Sequence, residues 1–133
     1  MESNVKEFLD LVRLAKHKIN LPASVEIFLL LELKFHDRIT ASEIANKYHV
    51  TIPAVMHKLD SLISEEYLIK VVDEVDKRKK YYHLTPKANM LLEDNKKVID
   101  MKINNLFSYL GSDKDELLRI LKKISEMEDI NNV

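Results

Sequence analysis

The most basic stretch of the chain is Asp76-Lys77-Arg78-Lys79-Lys80, four cations beside one carboxylate. Such a cluster suits phosphate oxygens, or an arginine inserted into the negative minor groove of duplex DNA; a solvated turn has the same composition. Upstream, Ala54, His57, Lys58 and Ser61 recur at i, i+3, i+4 and i+7 on one helix face, and none is a large hydrophobe. Thr51, Ile52 and Pro53 form the leading tip of that helix. A helix that keeps such a face free fits the major groove, and residues near its N-terminus reach base edges. Ile52 would meet a thymine methyl there, and the helix N-terminus a phosphate. The same spacing also describes the solvated face of an ordinary helix.

Other chemistries are poorly supplied. There is no cysteine, so disulfides, thiol nucleophiles and Cys-ligated zinc are excluded. The single glycine, Gly111, cannot build a phosphate-binding loop or a nucleophile elbow. His17, His36, His49, His57 and His83 include no pair at the i, i+4 spacing of a helical metal site. Met56, Met90, Met101 and Met127 read as core fillers. No catalytic residue, metal or cofactor is implied, and an enzyme is not expected. With 46% apolar and 32% charged residues the chain has the composition of a folded domain, and 133 residues suffice for one core. No apolar run approaches a membrane span, and MESNVKEFLD lacks the apolar centre of a signal peptide, so no membrane partner and a cytoplasmic location are expected.

The elements that must position these residues are mostly helical. Val5, Phe8, Leu9, Val12 and Ile19 follow a helical stripe, broken at Asn20-Leu21-Pro22. Pro22 suits the first turn of a second helix, whose run from Val25 to Leu33 is apolar on most sides and therefore predicts a central core helix. Thr40 and Glu43 form a capping box that starts a third helix, with Ile44, Ala45 and Tyr48 inward. His49 and Val50 turn the chain. Thr51 caps a fourth helix to about Glu66, held by Val55, Leu59 and Leu62 with Met56 and Ile63 flanking. The period then switches: Leu68–Asp73 and Lys80–Leu84 are rich in β-branched and aromatic residues and predict a hairpin. Thr85-Pro86 starts a long helix that Gly111 ends near Leu110, and Ser112 is expected to cap a last helix to about Met127. A helix, a short turn, a second helix and a hairpin make a winged helix-turn-helix. The fold class is mainly α with a small β-hairpin wing (α+β).

From Ile39 to Ala88, ITASEIANKYHVTIPAVMHKLDSLISEEYLIK followed by VDEVDKRKKYYHLTPKA resembles the MarR family of winged-helix regulators, SarA-like members included. The resemblance covers about residues 25 to 110. Its most specific element is the D-x-R of Asp76 and Arg78 ahead of Leu84, Thr85 and Ala88. It implies that Arg78 enters the minor groove and that Asp76 orients it. It further implies a homodimer with intertwined terminal helices and a small-molecule effector pocket between those helices and the DNA-binding lobe, although no residue here names a ligand. The chain departs from the pattern at His49, Tyr67 and Ala88, where the family has glycine, and at Ile52, which is often polar. On this reading one domain spans 1–133, with dimerisation helices at 1–20 and 86–128 and the winged lobe at 22–84. Independently of the resemblance, Phe8, Leu11, Leu14, Leu106, Phe107, Leu110, Leu117, Leu118, Leu121 and Ile124 exceed what a small domain buries alone.

The expected function is that of a transcriptional regulator binding double-stranded DNA as a homodimer on a pseudo-palindromic operator. The alternative is a winged-helix module that docks protein without DNA. The charge balance bears on both. Between Lys47 and His83, seven basic residues face six acidic ones, so the DNA-binding segment is barely basic. The salt dependence of DNA affinity is therefore expected to be shallower than that of a strongly basic repressor; titration between 50 and about 200 mM salt measures the slope directly.

Overall fold

The computed structural model describes residues 2–22 and 24–128. Within them the order is α1 (Ser3–Ile19), α2 (Val25–Phe35), α3 (Ala41–Tyr48), α4 (Ile52–Ser64), β1 (Leu68–Val72), β2 (Lys80–Leu84), α5 (Pro86–Leu110) and α6 (Asp113–Ser125). This is the mainly α arrangement with a hairpin wing that the sequence implies. Contacts divide the chain into two compact units, Met1–Leu21 with Asp100–Val133, and Pro22–Ile99.

In the Pro22–Ile99 unit, α2 begins three residues beyond Pro22, because the Ser24 hydroxyl accepts the Ile27 N–H and supplies the cap. Pro22 therefore precedes the helix instead of opening it. Ile27, Leu29, Leu30 and Leu33 are buried with Ile44, Ala45, Leu59, Leu62 and Tyr82 in one core. The apolar composition of α2 overstates its burial: Val25 is 56% and Phe28 54% exposed, since α3, α4 and the hairpin are too few to surround it.

The capping box forms as expected, with Thr40 Oγ1 accepting the Glu43 N–H at 3.2 Å and Glu43 Oε1 accepting the Thr40 N–H at 3.3 Å. Ile44 and Ala45 point inward, but Tyr48 does not: its ring is 44% exposed, while its hydroxyl bonds to the buried Glu32. His49 turns the chain in the left-handed region at φ 55°.

α4 ends at Ser64, short of Glu66, in a Schellman motif: the Tyr67 N–H bonds to the Leu62 carbonyl and the Glu66 N–H to that of Ile63. The left-handed residue is Glu66, at φ 65°, so the position that favours glycine is Glu66 and not Tyr67. Tyr67 instead packs half-buried against the core. Two donors from the α5 end close the junction. Thr85 Oγ1 donates to the Glu66 carbonyl and Lys87 Nζ to that of Glu65, each at 2.7 Å.

The hairpin is antiparallel, with Leu68 opposite Leu84 and Val72 opposite Lys80. Asp73 lies in the loop instead of the strand, because its carboxylate organises the turn that follows. Thr85 Oγ1 caps α5 by accepting the Ala88 N–H, and Ala88 is fully buried.

In the other unit, α1 and α6 bury none of their residues. Gly111 ends α5 at φ 58°. Ser112 makes no side-chain cap; the first turn of α6 is stabilised instead by Asp113, Asp115 and Glu116 against the helix dipole, and the helix stops at Ser125 before Met127.

Two substitutions separate packing from backbone strain in this fold. Leu59→Ala, at a fully buried site, is expected to cost about 2–5 kcal/mol in urea unfolding. Glu66→Gly is expected to raise stability by up to about 1 kcal/mol by relieving the left-handed conformation.

Candidate nucleic-acid interface

α4 carries two faces, as its period implies. Val55, Leu59 and Leu62 are buried, with Met56 and Ile63 half-buried beside them. Thr51, Ile52, Pro53, Ala54, His57 and Ser61 are exposed. Thr51 Oγ1 accepts the Ala54 N–H at 3.2 Å, which fixes the leading tip. Lys58 is half-buried and bound to Glu26 of α2 at 3.0 Å. That pair is accessible to water, so its cation can be redirected to a phosphate at a cost below about 1 kcal/mol.

The wing tip is more ordered than a charged loop need be. Asp76 Oδ1 accepts from both the backbone N–H and Nε of Arg78 at 3.1 Å, and Oδ2 from its second guanidinium nitrogen at 3.3 Å. Arg78 is 90% exposed on its side chain, so this fork aims the guanidinium outward without hiding it. The guanidinium and the backbone N–H of Arg78 together hold the Asp76 carboxyl below its ordinary range. Lys77, Lys79 and Lys80 are exposed around it.

Several residues that shape this surface carry no local signature. Glu32 is buried; its Oε1 accepts from Lys47 Nζ at 2.7 Å and its Oε2 from the Tyr48 hydroxyl at 2.6 Å, tying α3 to α2. Burial pushes its carboxyl up, but the Lys47 and Tyr48 hydrogen bonds outweigh that and hold its pKa below the ordinary value. Asp73 accepts from the N–H groups of Val75 and Asp76, from Arg38 and from the Tyr81 hydroxyl. The backbone bonds first, then Tyr81 and Arg38, lower its pKa. The one hint in the sequence is the position of Asp73, an aspartate at a strand end beginning a turn. Glu26, Glu32 and Arg38 act over sequence separations of 15 or more and leave no pattern.

An apolar cavity of about 380 Å³ also borders α4, lined by Val25, Phe28, Leu29, Tyr48, Val50 and Ala54 among others. No group of three or more potential metal ligands occurs among the described residues.

A capped helix with one free face, followed by a hairpin with a fixed arginine, defines a winged helix-turn-helix fold. Residues 24–80 match the model of the MarR family. Solved structures extend the likeness over nearly the whole length. A mutant of S. aureus MepR is 23% identical, with 96% of this chain and 100% of that one covered and a TM-score of 0.68. A mutant MarR from E. coli complexed with operator DNA is 18% identical, with 94% and 95% covered and a TM-score of 0.72. Bordetella bronchiseptica BpsR, whose DNA binding is regulated by 6-hydroxynicotinic acid, is 18% identical, with 89% and 91% covered and a TM-score of 0.71. No curated protein matches the chain. No helix among the described residues is long and apolar enough to cross a membrane.

The depressed Glu32 carboxyl has a pH consequence. A lowered folded pKa contributes stability above the unfolded value, lost as pH falls through the folded one. Stability is thus expected to drop below about pH 4.3, and Glu32→Gln to flatten that acid limb while lowering stability at neutral pH; urea midpoints across pH 3–7 measure both.

Proposed function

We propose that the chain binds duplex DNA sequence-specifically as a homodimer, reading a pseudo-palindromic operator with paired α4 helices and wings. The observation that carries this reading is the Asp76–Arg78 fork: an exposed arginine held in one direction at the tip of a hairpin directly after a two-faced helix. Thr51, Ile52, Pro53 and Ala54 would meet base edges, while His57, Lys58 and Ser61 line the groove. Arg78 would enter the minor groove, oriented by Asp76, with Lys77, Lys79 and Lys80 on phosphates. The likeness to a DNA-bound MarR supports the same docking.

The dimer rests on the unit made of α1, α6 and the end of α5. Phe8, Leu11, Leu14, Leu118, Leu121 and Ile124 remain exposed there, an apolar surface of the kind that a two-fold partner covers. Two copies also double the few cations that each lobe offers. The apolar cavity beside α4 would let a small apolar effector shift the recognition helix, as its size falls in the range of ligand pockets.

Selection from a random duplex pool tests the reading. The selected site is expected to be two-fold symmetric, with half-sites about one turn apart, bound by a dimer in sedimentation. Arg78→Ala should weaken binding by ~1–3 kcal/mol and erase minor-groove protection; Lys58→Ala should lower the salt slope by about one. Unchanged affinity in Arg78→Ala would sink the wing assignment. No duplex selected at low salt, together with a stoichiometric complex with a protein, would favour the docking module.

A further inference from the structure

We propose that Arg38, in the loop between α2 and α3, is the residue that sets the position of the wing. This inference rests on the DNA-binding reading above for its purpose, but not for its geometry.

Arg38 and the hairpin are joined by two contacts of different kinds. Its guanidinium carbon lies 4.5 Å above the centre of the Tyr81 ring, and one of its nitrogens donates to Asp73 Oδ2 at 3.2 Å. The Tyr81 hydroxyl donates to that same Oδ2, also at 3.2 Å. The other oxygen, Oδ1, accepts the N–H groups of Val75 at 2.8 Å and Asp76 at 3.3 Å, both in the wing loop. Asp76 in turn holds Arg78. A continuous chain of contacts thus runs from the α2–α3 loop to the arginine at the wing tip, through Asp73.

Strand geometry gives Arg38 its task. Tyr81 and Tyr82 are neighbours on β2 and so point to opposite faces of a two-stranded ribbon. Tyr82 enters the core, where its ring fixes the base of the hairpin. Tyr81 is nearly as buried, yet it stands outside that core. Arg38 is the cation stacked on its ring. A two-stranded ribbon twists and bends readily, and here one ring is gripped on each face. A guanidinium serves better than an ammonium because it is planar: it stacks and donates in its own plane at once.

Arg38→Ala is tested for two things in the same preparation. Hydrogen exchange of the free protein reads the wing without DNA. The Val75, Asp76 and Lys79 amides are expected to exchange several-fold faster than in the parent chain, while α4 amides are unchanged. Footprinting on the duplex selected by the parent chain reads the consequence. Protection at the outer minor grooves should fade while the central major-groove protection stays, with affinity roughly tenfold lower, the scale of one charge-assisted hydrogen bond. Arg38→Lys should restore little of either, since it keeps the charge but not the plane.

Unaltered exchange in residues 73–80 would overturn the proposal. So would a salt slope lowered by about one with the exchange intact, because Arg38 would then touch a phosphate itself. If the parent chain selects no duplex but Arg38→Ala still loosens the wing amides, the anchor stands and the DNA reading falls.

Discussion

α4 leaves half of its surface free, so it can be held only by its other half and by its ends. That constraint on α4 organises the Pro22–Ile99 unit. Val55, Leu59 and Leu62 supply the half that holds. The leading end is fixed by the Thr51 cap and by the left-handed His49 just before it. The trailing end is fixed by the Schellman turn at Glu66 and by Thr85 and Lys87, which take the carbonyls that the helix leaves over. The helix before and the helix after it are thus recruited to orient one short segment, and the hairpin inherits its starting direction from the same junction.

The near-neutral charge of the lobe follows from a second pattern. Four of its cations face carboxylates: Lys47 with Glu32, Lys58 with Glu26, Arg38 with Asp73 and Arg78 with Asp76. These pairs divide by burial. Glu32 is buried, and its pair ties two helices together. The Arg78 and Lys58 pairs are wet and worth little in stability. Their effect is directional: each aims a cation that a more basic surface would leave to roam. On the DNA-binding reading proposed above, a surface that uses carboxylates for orientation would lose long-range attraction to DNA and gain a defined set of short-range contacts.

What the sequence makes legible is local. The capping box at Thr40 and Glu43, the cap at Thr51, the apolar period of α4, the β-branched and aromatic strands of the hairpin and the D-x-R of the wing each lie within a few residues, and each has its expected form. What it hides depends on distance or on competition. Glu26, Glu32 and Arg38 find partners on other elements, and no periodicity encodes that. Pro22 loses the helix start to Ser24, since a hydroxyl that accepts an N–H outweighs a ring that merely lacks one. Tyr48 looks inward by period, yet its ring stays half-exposed while its hydroxyl bonds to the buried Glu32. Glu66 takes the left-handed position because the Schellman geometry counts from the last helical residue, and sequence alone misplaces that by two.

The wing shows how the two patterns combine. Asp76 can orient Arg78 only if Asp76 is itself held, and an exposed loop of this length holds nothing by packing. Its backbone N–H is bonded to Asp73, and Asp73 is bonded to the body of the lobe through Arg38 and Tyr81. Each step in that relay is a hydrogen bond to a carboxylate oxygen: Asp73 Oδ1 takes the wing-loop amides and Oδ2 takes Arg38 and Tyr81. Asp73 therefore matters more than its unremarkable place in the sequence suggests: its two oxygens meet the wing on one side and the lobe on the other. The aim of the arginine at the tip is set by a carboxylate five residues away, and that carboxylate is held by Arg38 of the loop before α3.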